Sequence, residues 1–140
     1  MNKLLTILII LSSCGTANKK FGAEPPHFFA CNRWIDRNED GKYDAYEFEN
    51  IKDTFHSSET VLFVAFFKNL PTGSAVTFML FAPDGSLFHE FTQLQVFKST
   101  LYRSEYSAGD LISRKSTGVW AGVWEVEGEE IAETDVSLIY

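Results

Sequence analysis

The sequence predicts a mainly β protein, an antiparallel β-sandwich preceded by an acidic loop and one short helix. Three observations carry that expectation. From Glu59 onward, short apolar runs alternate with turn residues at the intervals of a sandwich. Residues 61–67 (VLFVAFF) are apolar without a break, the pattern of a strand buried on both faces. Residues 118–126 then alternate, so that Trp120, Gly122, Trp124 and Val126 share one face, and beyond Gly128 the same period gathers Ala132, Thr134, Val136, Leu138 and Tyr140. With 13 Phe, 5 Tyr and 3 Trp in 140 residues, the apolar area suffices for one compact domain and a small appendage.

Taken from the N-terminus, residues 1–13 read as a secretion signal: Lys3 precedes an apolar stretch from Leu4 to Leu11, and two serines follow. As a helix that stretch spans about 12 Å, against a hydrocarbon thickness of ~30 Å, too short for a permanent span. Leu11-Ser12-Ser13-Cys14 resembles the lipobox of bacterial lipoproteins. The resemblance implies cleavage before Cys14, lipid on its thiol, and a membrane anchor on the mature chain. A single buried chain holds only marginally and two or three hold stably, so the anchor would keep the protein on a bilayer. It also implies the bacterial cell envelope, and Gly15, where inner-membrane lipoproteins carry Asp, implies the outer membrane, facing periplasm or cell surface. Residues 14–25 are small, polar and non-periodic, a tether in which Lys19 and Lys20 are solvated charges.

The next unit, residues 26–56, holds the one chemically specific motif. Pro25-Pro26 opens a stretch too short for an amphipathic helix and better read as a strand, in which Cys31 is a small buried hydrophobe. Residues 36–47 (DRNEDGKYDAYE) match the calcium-loop pattern D-x-[DN]-x-[DN]-G-x5-E at every specified position. Ca2+ takes six to eight oxygens at 2.3 to 2.6 Å, and oxygens at loop positions one, three and five converge when the chain coils tightly. Asp36, Asn38 and Asp40 stand there. Gly41 permits the sharp turn, Lys42 offers its carbonyl, Asp44 binds directly or through water, and Glu47 closes the sphere with both carboxylate oxygens. Glu39 is at a non-ligand position and is expected in solvent. Over these residues the chain resembles the EF-hand family, with a helix expected over 44–55 that puts Phe48, Ile51 and Phe55 on one stripe. It departs from that family upstream, where the entering helix is missing, and in having a solitary loop, which favours a structural ion over a sensor.

In the sandwich, residues 57–140, the strand 61–67 ends at Leu70-Pro71-Thr72-Gly73, and 75–81 ends at the tight turn Ala82-Pro83-Asp84-Gly85. Further strands are expected over 86–92 and within 94–106, a polar connection over 107–117, and two long strands to the C-terminus, about seven in all. The Pro-Asp-Gly hairpin, Gly118-Val119-Trp120 and the glycine turn into a terminal strand resemble immunoglobulin-like domains of bacterial surface proteins, without the inter-sheet cysteine pair of antibody domains. Glu125, Glu127, Glu129, Glu130, Glu133 and Asp135 read as charges protecting a sheet edge. Phe88, Phe91 and Phe97 read as core.

Twelve Lys and Arg against 19 Asp and Glu, a net charge of −7, argue against nucleic acid as a partner. His27, His56 and His89 are scattered, no Gly-x-Ser-x-Gly turn exists and no zinc spacing occurs, so an enzyme is not expected. The expectation is a lipid-anchored, Ca2+-stabilised binding or structural module of the envelope. It would meet the membrane through Cys14 and an unidentified protein or glycan partner through the sandwich. The second reading is a calcium-responsive regulator of an envelope partner.

Overall fold

The computed structural model describes residues 27–40, 47–67, 70–95 and 101–140. Ten strands and one short helix lie in those stretches: β1 Phe28–Cys31, β2 Arg33–Trp34, β3 Phe48–Glu49, β4 Thr54–His56, β5 Thr60–Phe66, β6 Ala75–Phe81, β7 Leu87–Leu94, β8 Leu101–Ser107, α1 Ala108–Arg114, β9 Gly118–Val126 and β10 Glu129–Ile139. Cys14, Lys19, Lys20, Lys42, Asp44 and Phe97 fall outside the described residues. Two sheets face each other, one ordered β1-β5-β8 and the other β4-β10-β9-β6-β7, with β2-β3 as a separate ribbon. Pairing is antiparallel throughout except where β4 runs parallel to β10.

The order is that of an immunoglobulin-like sandwich. The opening segment contributes β1 to one sheet and, after the ribbon, β4 to the other; β5 and β9 stand on opposite sheets where antibody domains carry their disulfide. Here an aromatic ring takes that space. A Cβ on Gly122 of β9 would lie 2.7 Å from Cδ1 of Phe63 on β5, so the glycine admits the Phe63 ring to the centre of the core. Phe63 in turn stands 5.2 Å, centroid to centroid, from Phe78, which lies 4.7 Å from Trp124. Trp120, Leu80, Val136 and Leu138 complete this fully buried interior.

The unbroken run in β5 has its explanation in a second cluster. Val61, Phe63 and Ala65 face the main core, whereas Leu62 and Val64 face the other way, against Phe29, Cys31, Phe48 and Leu101, with Trp34 and Phe66 at the margin. The ribbon β2-β3 thus roofs the outer face of the three-stranded sheet, and β5 is buried on both sides as its pattern predicts.

Several expectations need correction. Among the described residues no α-helix occupies 47–55: Glu47 lies in a 3-10 turn, Phe48 lies in β3 and enters the second cluster, Phe55 lies in β4 and enters the main core, and Ile51 is exposed. The short helix lies instead in the expected polar connection. Ser107 caps α1 by accepting from the N–H of Asp110, and Ala108, Leu111 and Ile112 bury its inner face. Of the acidic residues, Glu125 lies on β9, interior to the five-stranded sheet, whereas β4 pairs with β10 only over residues 137–139, so Glu129, Glu130, Glu133 and Asp135 lie along a stretch of β10 that β4 does not cover, the edge position expected. Since Ala132, Val136 and Leu138 face the core, Glu133 and Asp135 project from the sheet's outer face. Tyr140, expected inward, is exposed. Phe88 and Phe91 pack half-buried against the main core as expected.

Candidate metal centre

The loop hangs from the ribbon. Residues 33–34 pair with 48–49, and the N–H of Ile35 donates to the carbonyl of Glu47 at 3.0 Å, so the loop is closed at its base by strand hydrogen bonds rather than by a helix pair. Within it, Asp36 Oδ1 accepts from the N–H of Asp40 at 3.2 Å, and Asn38 Oδ1 accepts from the same N–H at 3.4 Å. The Asn38 amide also donates to Asp40 Oδ2 at 3.1 Å, which brings all three expected ligands of the loop's first half onto one centre. Glu39 is exposed with φ 56°, on the outside of that coil as expected.

Glu47 closes the arrangement from the far end. Its side chain is fully buried, where an ionised carboxylate requires donors or a cation. Oε2 accepts the N–H of Arg37 at 2.8 Å and Oε1 accepts the Trp34 indole N–H at 3.4 Å. Oxygens of Asp36, Asp40 and Glu47 lie within 4.8 Å of one another. Oxygens sharing one calcium at 2.3 to 2.6 Å can stand no further apart than about 5 Å, so these three satisfy the distance that a common ion imposes. The donor set is all oxygen and anionic, which suits a hard cation and excludes the soft-metal chemistry of thiolate or imidazole sites. Lys42 and Asp44, the remaining expected ligands, lie outside the described residues.

Sequence reasoning missed the positive side chains around this centre. Arg33 Nε donates to Glu49 Oε1 at 2.7 Å, and Arg37 Nη2 is held by Glu49 Oε2. Glu49 thereby draws both guanidinium groups to the ribbon, and the hydrogen bond from Arg33, first, with the charge of Arg37, lowers its pKa. The cross-strand pairing of Arg33 with Glu49 was open to inference once the ribbon was recognised; the backbone donor of Arg37 carries no side-chain signal.

Beside the loop, Glu59 ties the layers together. Its carboxylate accepts from Lys52 Nζ at 2.6 Å, from the His56 N–H at 2.8 Å and from Asn32 Nδ2 at 3.1 Å. Lys52 first, then the His56 N–H, bring its pKa down to about 2. The adjoining open groove, about 460 Å3, is lined by Asn32, Arg33, Glu49, Asn50, Glu59 and Thr60, with Glu105 opposite. Cys31 is fully buried and its thiol is pushed up to about 12 by burial, so it is the inert hydrophobe the sequence suggests. No protein-family model matches the chain, and no curated protein matches it.

Proposed function

We propose that this chain is a lipid-anchored protein of the bacterial cell envelope whose residues 36–47 bind one Ca2+, and that the ion stabilises an immunoglobulin-like module serving a binding or structural role. The observation that carries the metal reading is the convergence of Asp36, Asp40 and the buried Glu47 within 4.8 Å, on a loop whose spacing fits calcium at every specified position. Asn38 is positioned to join them, and the Lys42 carbonyl and Asp44 complete the ligand set expected from sequence. The anchoring reading rests on Leu11-Ser12-Ser13-Cys14 after an apolar run.

A structural rather than signalling ion is favoured by what surrounds the loop. The apolar side chains at its base, Trp34 and Phe48, are committed to the second cluster, so occupancy would tighten a surface already closed and expose none. Thermal scans decide the metal reading: in millimolar Ca2+ the full chain melts several degrees higher than in chelator. Terbium in place of calcium should luminesce on excitation of Trp34, whose indole is bonded to Glu47. Superimposed scans and dark terbium would leave the loop an empty turn. Acyl mass on an N-terminal Cys14, lost in Cys14→Ser, decides the anchor.

A further inference from the structure

None of the protein's 12 Lys and Arg stands on any strand of the five-stranded sheet, whereas six carboxylates do. Which of them face away from the core follows from alternation. Val76, Phe78 and Leu80 of β6 and Trp120 and Trp124 of β9 enter the main core, so Met79, Phe81, Val119, Ala121, Val123 and Glu125 point outward. The pairings set these residues in rows. Leu87, Phe81, Ala121 and Asp135 form one row across β7, β6, β9 and β10, and Glu90, Met79, Val123 and Glu133 form the next.

An apolar stripe thus runs along β6 and β9 with acid at its border. Leu87 and Val119 are 48% and 53% exposed, Met79, Phe81 and Ala121 are partly exposed, and Val123, buried among them, belongs to neither core cluster. Glu90 and Asp135, both exposed, stand on the strands to either side, and Glu125 stands beyond Val123 at the end of the stripe. Carboxylates along the uncovered stretch of β10 guard an edge. That role extends neither to Glu125 on the interior strand β9 nor to a contiguous apolar stripe left in solvent.

We infer that this stripe is the docking face for an amphipathic helix of a partner protein, whose apolar side lies on Met79, Phe81, Ala121 and Val119 and whose Lys or Arg side chains reach Glu90, Glu125 and Asp135. Charge selects the partner. A second copy laid face to face would set these carboxylates against their own kind, and an anionic bilayer would be repelled by the same border, whereas cationic flanks complement it. Backbone chemistry selects the helix. β6 and β9 are each paired on both sides, so the face offers no main-chain partner and its occupant must arrive with its own backbone hydrogen bonds made. Size agrees with both. Glu90 and Asp135 stand on strands three spacings apart, about 14 Å, and a helix with its side chains is about 10–12 Å across. From Val123 to Val119 the stripe runs about 13 Å, the rise of about nine helical residues.

The inference deepens the binding role proposed above and rests on it, yet it involves neither ion nor lipid, so its test fails separately from the thermal scans and the acyl mass. A Leu/Lys peptide of about 18 residues, long enough to hold a helix and apolar on one side, is titrated into the full chain in millimolar Ca2+, beside the same peptide with Glu for every Lys. The Lys peptide should bind and shift the amide resonances of β6 and β9, and the Glu peptide should not. Val119→Glu separates docking from mere attraction: it adds a carboxylate, which would strengthen a purely electrostatic contact, whereas a blocked stripe should weaken binding about tenfold or more. Leu87→Glu, at the other side of the stripe, should do the same. Asp135→Lys should weaken binding about fivefold, and Glu105→Lys, the equal charge change on the opposite sheet, less than about twofold, with melting unchanged in each. Tighter binding by Val119→Glu and Leu87→Glu, equal losses in Asp135→Lys and Glu105→Lys, or shifts confined to other strands would overturn the inference. So would a different occupant: a dimer that Val119→Glu dissolves, anionic vesicles held through Leu87 and Val119, or the chain's own Lys19-Lys20 segment, revealed by β6 and β9 resonances that move in a Lys19→Gln, Lys20→Gln chain without peptide.

Discussion

At Gly122 the core tolerates no side chain. A Cβ there would meet Phe63 at 2.7 and 2.8 Å and Phe78 at 3.0 Å, and all three contacts are to aromatic rings wedged among Trp124 and Tyr106. Gly122→Ala should therefore destabilise by about 1–3 kcal/mol through overpacking, read as a lower urea midpoint at unchanged slope. Glu59 acts through charge instead. Its carboxyl, ordinarily near 4.5, is held at about 2 by Lys52 and the His56 N–H. A folded-state pKa below the unfolded value means that the contribution is full above about 4.5 and is lost as pH falls from there towards about 2. Glu59→Gln should flatten the acid limb of the stability profile across that window while changing its alkaline limb little. A Gln variant that keeps the same acid slope would remove Glu59 as its source.

At the scale of elements, the loop and its ribbon behave as one unit, because Glu47 is at once the loop's closing residue and the neighbour of Phe48, which packs edge-on against Phe29 at 5.2 Å. If Ca2+ is bound at a hundredfold excess over its Kd, the native state gains about 2.7 kcal/mol. Glu47→Gln should remove most of the calcium-dependent rise in melting temperature, and Glu39→Gln, on the exposed outside of the coil, should leave it intact. The convergence of Asp36, Asp40 and Glu47 was readable in the sequence because their spacing is fixed, and β5 because an unbroken apolar run has one economical explanation. The supposed helix over 44–55 was not, since Phe48, Ile51 and Phe55 satisfy helical spacing by coincidence: two separate strands deliver Phe48 and Phe55 to two different clusters. The true helix did leave a trace. Ser107-Ala108-Gly109-Asp110 is a serine followed three residues later by an acid, a capping pattern obscured by the glycine within it. Ser107→Ala should cost about 0.5–2 kcal/mol, a test of whether that cap holds the helix at the mouth of β8.

For the whole molecule, the question is whether the loop and ribbon can open while the sandwich stays closed. Cys31 answers it, because the thiol is fully buried on the ribbon side of β1, whereas its chain neighbour Ala30 packs in the main core on the other side. β1 and β5 are paired over residues 28–31 and 62–65, so each strand lines both interiors, and lifting the ribbon would expose Leu62 and Val64 on the back of a strand whose front holds Phe63. Sharing of strands between two apolar layers makes independent opening costly, and cooperative units in proteins follow such shared packing. We expect thiol labelling of Cys31 to proceed only through global unfolding, at a free energy equal to that from denaturant melting followed by Trp120 and Trp124, and chelation of calcium to lower both by the same amount. Labelling that accelerates in chelator while the tryptophan transition stays in place would instead make the loop and ribbon a separately melting layer, with the ion guarding the outer cluster alone.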